Sequence, residues 1–325
     1  MIKEVAFPKL KDPVFIAAWP GMGEVAYRSA LFLKEVLGFK VFAKLQAHRF
    51  FKPAAITVEK GIIDIPDIPV GFFYYYKAGR NSQDIILFLG EAQPPLEYAE
   101  ALSAVIVSFV KKYKASAMFT FAAKPEPIDH KSPSRVWVAS THNEFLKTFE
   151  KLDSKILKNG QISGLNGIIL GVGKRKGLKG ICLLGEIPFY TVQIENPKAA
   201  QSILNTVSKY LKLNLDLSSI VKRSKFIEAE IDKLITYLKG ESPQALGPMP
   251  LSEEDIEKIK KDLAAYTKLP QSARENIENL FNQAEKDITL ANKLKKELDH
   301  WNVYKEYEDK FLDLFRKKGK ETDIH

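Results

Sequence analysis

Gly21-Met22-Gly23-Glu24-Val25-Ala26 has the Gly-x-Gly-x-x-Ala spacing of a turn that brings a helix N-terminus against a dinucleotide pyrophosphate. Two features oppose that chemistry. A nicotinamide site needs an acid at the end of the second strand to hold the ribose, and here the second strand, Lys40 to Ala47, runs into His48 and Arg49. Glu24 falls in the first helical turn, where its carboxylate opposes a bound phosphate. The expectation is a tight structural turn without a cofactor. His48, His130, His142, His300 and His325 are scattered, with no pair at helical metal-ligand spacing, so no metal is expected. Asp129-His130 and Thr141-His142 stand near predicted strand ends and are read as surface loops. Glu186 follows a buried run and either faces a crevice or anchors a turn by accepting backbone hydrogen bonds. Cys182, the sole cysteine, lies in the apolar run from Gly180 to Gly185 and reads as a core residue rather than a nucleophile. With no Gly-x-Ser-x-Gly elbow present, no catalytic residue is assigned.

The elements that must position these residues alternate. Val14 to Trp19 is a short apolar run, the glycine turn breaks it, and Glu24 to Leu37 carries apolar residues at helical spacing. Strand, tight turn and helix open an α/β domain. Ile56 to Ile65, interrupted by Gly61, reads as an extended or hairpin segment, and Val70 to Tyr76 as an aromatic strand. Tyr74, Tyr75 and Tyr76 fall on both faces of that strand, which is either covered on both sides or exposed at a subunit interface. Asp84 to Glu91 reads as a central parallel strand. A helix follows Pro94-Pro95 to about Tyr113, then a strand from Ala117 to Ala122, a loop from Lys124 to Pro133, a strand from Val136 to Ser140 and a short helix from Asn143 to Leu152. Ser163 to Gly173 reads as a small-residue helix packed closely on the sheet. The strand Gly180 to Leu184 follows, and Asn196-Pro197 caps a helix to about Leu211.

The fold class expected is α/β, a mainly parallel sheet flanked by helices, with a C-terminal all-helical appendage. The α/β domain spans 1–220 and the tail 221–325, with a helix from Ser218 or Ser219, a linker at 240–250 and a coiled-coil-like hairpin over 252–318. One long helix is expected from Gln271 to His300. Ile277, Phe281, Ala284, Ile288 and Ala291 follow alternating four-three spacing, continued after a shift by Leu294, Leu298 and Trp301. Ile277, Phe281, Ile288, Leu298 and Trp301 are candidate partner or oligomer contacts.

Composition sets wide bounds. The 325 residues are 45% hydrophobic and 27% charged, ordinary for a globular chain. The net charge is +9, but the basic residues are spread along the chain and mixed with acids, and zinc-finger or RNA-binding sheet motifs are absent, so nucleic acid is not an expected partner. A single cysteine, no signal-peptide pattern and no bilayer-length apolar run lead to an expected cytoplasmic location without a membrane partner.

Several blocks, in order, carry a family resemblance. They are Ala18-Trp19-Pro20-Gly21-Met22-Gly23, Ile162-Ser163-Gly164-Leu165-Asn166-Gly167-Ile168-Ile169-Leu170, Gly180 to Tyr190 with Gly185-Glu186-Ile187-Pro188, Pro197-Lys198-Ala199-Ala200, and Asp216-Leu217-Ser218. Together, over Pro13 to Ile220, they resemble the archaeal and bacterial branch of the proteasome assembly chaperone 2 family. The resemblance implies a domain similar to the purine nucleoside phosphorylase fold, a homo-oligomer such as a trimer or tetramer, and a non-catalytic role in assembling proteasome core particles, with proteasome α subunits as partner. It marks Gly21, Gly23, Gly164, Asn166, Gly167, Gly185, Glu186 and Pro188 as motif or crevice residues. Archaeal chaperones of this type dock through a C-terminal hydrophobic-Tyr-any tripeptide; Asp323-Ile324-His325 stands at that place here. The leading expectation is a chaperone-like protein or oligomeric protein-binding scaffold. The alternative is an enzyme binding a nucleotide or nucleoside in a crevice at the glycine turn.

Overall fold

The computed structural model describes residues 2–51, 56–64, 68–79, 82–238, 271–300 and 304–319. The expected linker at 240–250, the helix expected from 252, Trp301 and the C-terminal tripeptide lie outside these. One compact unit comprises residues 1–124, 130–187 and 193–245, and a second comprises 125–129, 188–192 and 246–325.

The first unit is built on a nine-stranded sheet. Its strands are β1 (Ile2–Glu4), β2 (Val14–Ala18), β3 (Lys40–Gln46), β6 (Val70–Tyr76), β7 (Ile85–Gly90), β8 (Ala117–Glu126), β9 (Val136–Ser140), β10 (Lys155–Ile156) and β11 (Gly180–Pro188). Their order is β1-β3-β6-β7-β2-β8-β11-β9-β10. β4 (Thr57–Glu59) and β5 (Ile62–Asp64) pair separately as an antiparallel hairpin. β2 lies parallel to both β7 and β8, and these strands are the apolar runs of the sequence; every residue of β2 and β7 is buried. Towards one edge β7, β6, β3 and β1 pair antiparallel, and towards the other β11 and β9 do. The sheet is therefore mixed, with a parallel core.

Helices α1 (Val25–Val36), α2 (Leu96–Lys112), α3 (Asn143–Glu150), α4 (Leu165–Arg175), α5 (Pro197–Leu211) and α6 (Ser218–Leu238) clothe it. α2 and α4 pack together on the face that presents Phe42, Phe73 and Met118. There Phe109 of α2 lies 4.6 Å from Phe73 and 5.9 Å from Phe42, ring to ring. α1 and α5 pack together on the opposite face, where Tyr210 of α5 stacks on Phe149 of α3 at 4.9 Å and meets Phe119 of β8 at 5.4 Å. α6 lies on α5 and clusters with the sheet, so it belongs to the first compact unit. α5 starts where its sequence signals place it: Asn196 accepts a hydrogen bond from Ala199 N at 3.1 Å, and Pro197 opens the helix.

In the second unit, α7 (Gln271–Lys286), a 3-10 turn (Ile288–Leu290), α8 (Ala291–His300) and α9 (Tyr304–Gly319) share an apolar core. The single helix expected from Gln271 to His300 is broken. Asp287 leaves helical geometry, and its carboxylate accepts from Thr289 N at 3.0 Å and from Thr289 Oγ1 at 2.7 Å, capping a new start. Ile277, Phe281, Ala284, Ala291, Leu294 and Leu298 are buried against Phe311 and Leu314, with Ile288 packed at the margin. The four-three seam is thus filled by the helices of the tail itself.

Candidate functional site

The motif residues meet where β2 ends. After Ala18 the chain passes through Trp19 and Pro20 into a 3-10 turn, Met22–Glu24, before α1 begins. Gly23 has φ +59°, and a Cβ on it would lie 3.3 Å from Asn196 Cβ, so a side chain would meet both strain and crowding. Glu24 is also left-handed, at φ +50°. Its carboxylate accepts from Arg28 Nε at 2.6 Å, and this hydrogen bond is the main reason the Arg28 guanidinium is held above its ordinary range.

Four segments distant in sequence are stitched together here. Trp19 N donates to Asn166 Oδ1 at 3.2 Å, and Asn166 Nδ2 donates back to Trp19 O at 3.3 Å, both in buried surroundings. Gln93, from the loop between β7 and α2, donates through Nε2 to Pro20 O at 2.6 Å and accepts at Oε1 from Leu165 N at 3.0 Å. Gln93 therefore caps α4 from another loop. Gly164 has φ +71°, and a Cβ there would lie 2.5 Å from Gln93 Oε1. Asn196 N donates to Gly23 O at 2.9 Å, closing the turn against the start of α5. Gln93 Oε1 takes one N-terminal donor of α4, Leu165 N, and Asn196 Oδ1 takes one of α5, Ala199 N. Chemically the arrangement is a joint: paired amides fix two loops and two helix starts at the carboxyl end of the central strands.

Of the residues marked by the family resemblance, Gly21, Gly23, Gly164, Asn166 and Gly167 lie at the turns and helix starts just described. Gly21 lies near Asn166, and Gly167 sits so close to Ile162 O that a Cβ would fall 2.1 Å from it. Gly185, Glu186 and Pro188 are on β11, where Gly185 lies against Ala199 of α5. The buried Glu186 carboxylate accepts from Trp137 Nε1 at 2.7 Å and from Arg135 N at 3.3 Å, with Arg135 Nε at 3.8 Å. Those bonds make it an anchor between β11 and β9. Lys124 and Lys155 place their ammonium groups 4.5 and 5.4 Å from the centroid of the Trp137 ring. Gln93 was missed by sequence reasoning. Its one local signal is an amide in a loop leaving a central strand, and nothing local tells where that amide points.

His130, expected on a surface loop, is buried, with Nε2 2.9 Å from Asp232 Oδ1 of α6. Lys131 Nζ is also 2.9 Å from Asp232, and hydrogen bonds from Lys131 and then His130 hold that carboxyl below its ordinary range. Lys198 Nζ donates to His130 O at 2.6 Å and pairs with Glu228 at 2.8 Å. This latch holds α6 to the sheet unit. Among the described residues, no group of three or more His, Cys, Asp or Glu is placed to hold a metal, and no helix is long and apolar enough to cross a membrane.

The aromatic strand divides as alternation requires. Tyr75 faces the α2 side, 6.0 Å from Phe42; Tyr76 meets Phe39 at 5.5 Å; Tyr74 lies under Lys34 Nζ at 5.3 Å. All three are half-buried.

The PAC2 family model matches residues 15–235, which takes in β2 through most of α6 and every residue of the joint. The chain belongs to the PAC2 family. An uncharacterised protein of Methanocaldococcus jannaschii is 27% identical over 259 residues, 77% of this chain and 93% of that protein. Among solved structures, Pyrococcus furiosus PbaB, described as an archaeal proteasome activator, is 27% identical, with a TM-score of 0.62 over 72% of this chain and 98% of PbaB. P. furiosus PbaA, described as an archaeal homologue of proteasome-assembly chaperone, is 26% identical, with a TM-score of 0.55 over 71% of this chain and 95% of PbaA. The PAC2 match ends before the helices of the second unit.

Proposed function

We propose that this PAC2 protein is a non-catalytic, chaperone-like scaffold that binds proteasome α subunits and associates with copies of itself. The observation that carries the reading is the likeness to PbaB across nearly the whole of that chain. The geometry of the joint supports it: the backbone around the glycine motif is tied down at Trp19 by Asn166, at Pro20 by Gln93 and at Gly23 O by Asn196 N. In this reading the sheet unit, which α6 joins, is the scaffold domain, and the tail helices from Gln271 add a helical partner surface. Because Ile277, Phe281 and Leu298 are spent in the core of the tail, the contact falls to apolar groups left outside it, Leu312 and Phe315 of α9. Exposed aromatic and aliphatic anchors of this kind carry most of the energy of protein contacts.

The test is capture of purified proteasome α subunits on the immobilised full-length protein, beside a Leu312→Asp, Phe315→Asp variant. Retention by the wild type, reduced about tenfold or more in the variant, is the expected result. No retention by either protein contradicts the proposal; equal retention by both moves the contact off α9.

A further inference from the structure

The helices leave one corner of the sheet open on one side. On the α2 face, Phe109 covers β3 and β6 through Phe42 and Phe73. On the opposite face α1 packs on β2 and β7, and β6, β3 and β1 follow beyond it in the order of the sheet. There Val41 pairs with Tyr74, Lys44 with Phe72 and Lys3 with Lys44, so these side chains share a face. The register shift between Val41 and Ala43 is what brings Val41 and Lys44 to the same side. Val41 is 45% exposed, and Phe72 and Tyr74 are half-buried. The sheet of an α/β domain is ordinarily clothed on both faces, and apolar side chains at this place call for a cover.

The charge on this face has one sign. Lys34 of α1 and Lys44 of β3 hold their ammonium groups 5.3 and 5.4 Å from the Tyr74 and Phe72 ring centroids, and the exposed Lys3 of β1 stands beside Lys44. β3 and β6 contain no acid. Glu4, the acid of β1, aligns through Ala43 with Phe73 on the other face, where its carboxylate accepts from Tyr113 OH at 2.5 Å. Glu91, at the Val70 end of β6, accepts from Val70 N at 3.0 Å. The result is an apolar lane of Val41, Phe72 and Tyr74 with Lys34 on one shoulder and Lys3 and Lys44 on the other.

We propose that this face receives an acidic amphipathic helix of a partner protein, with its apolar stripe on the lane and its carboxylates on Lys3, Lys34 and Lys44. A helix is the element that clothes the rest of the sheet, and the lysines set the sign of its charge. Aromatic rings with basic neighbours also suit a single nucleic-acid strand, but base stacking needs open ring faces. Here an ammonium group lies over each ring, and Val41 adds aliphatic surface that stacking does not use. The proposal goes beyond the α-subunit contact placed on α9: this surface lies on the sheet unit, so either can fail without the other.

Fluorescence anisotropy of a labelled peptide with Leu and Glu at amphipathic helical spacing, titrated with the full-length protein, tests this. The wild type should bind it, and more weakly as salt rises. Lys34→Glu, Lys44→Glu should weaken binding about tenfold or more and take up instead a peptide in which Lys replaces each Glu. Val41→Asp, at an exposed position, should weaken binding with an unchanged melting temperature. A wild type that does not bind the acidic peptide, or a charge-reversed protein that binds it as well as the wild type does, overturns the proposal. Oligouridine bound in place of the peptide, and lost on the same reversal, overturns it in favour of nucleic acid. A wild-type oligomer that Val41→Asp reduces to single chains overturns it in favour of a second copy.

Discussion

Asn166 serves Trp19 twice, accepting from its N–H and donating to its carbonyl. Replacing it by Leu leaves both backbone groups buried without these partners, and each orphan costs about 1–3 kcal/mol. Asn166→Leu should lower the unfolding free energy by about 2 kcal/mol or more in urea titration, against a change within about 0.5 kcal/mol for an exposed polar substitution. Cys182 is silent for a related reason: burial pushes its thiol up to about 12, so the nucleophilic thiolate is scarce. A thiol reagent at pH 8 should leave the native protein unmodified and titrate one thiol per chain in urea. Asp232 tests the latch on α6. Its folded carboxyl lies below the unfolded range, so its contribution is complete at neutral pH and is lost as pH falls through the folded value. Asp232→Asn should therefore lower the urea midpoint at pH 7 and converge with the wild type as pH falls through the folded value. Of these residues, Asn166 stood out in the sequence only within a block that carries the family resemblance, and Cys182 was read as a core residue from its apolar run. Gln93 and the pair His130–Asp232 were not, because their partners lie 72 to 102 residues away along the chain and local pattern carries no such information.

Periodicity delivered most elements. β2, β6, β7, α2 and α5 fall where apolar runs, aromatic content, Pro95 and Asn196-Pro197 put them. The failures have local causes. β8 runs on to Glu126, through Lys124-Pro125, where the sequence reads as loop, since a proline near a strand end forfeits only one ladder bond. The long tail helix breaks because the Asp287 side chain competes for the Thr289 amide, an option that apolar spacing alone does not register. At this scale Gly164 is the sensitive point, joining positive φ to a side-chain contact that a Cβ would occupy. Gly164→Ala should lower stability by about 1 kcal/mol or more, since the backbone penalty alone is of that order. The accompanying loss of the Gln93 cap should appear as faster amide exchange at Leu165.

At the scale of the whole molecule, the sheet unit accounts for the PAC2 match, and exposed apolar side chains stand on both units, among them Phe7 and Leu96 on the first and Leu312 and Phe315 on the second. The net charge of +9 comes from the sheet unit, since residues 246–325 hold 15 Lys and Arg against 17 Asp and Glu; it favours encounter with an acidic partner through long-range attraction, so binding that relies on it should weaken with salt. Apolar anchors such as Leu312 and Phe315 would persist at high salt, which separates steering from affinity. The most direct test of the proposed function is sedimentation velocity of the purified full-length protein mixed with purified proteasome α subunits, at low and at high salt. A boundary faster than that of either component, retained at high salt and lost with Leu312→Asp, Phe315→Asp, is expected. Two boundaries that sediment independently at every salt and ratio would contradict it.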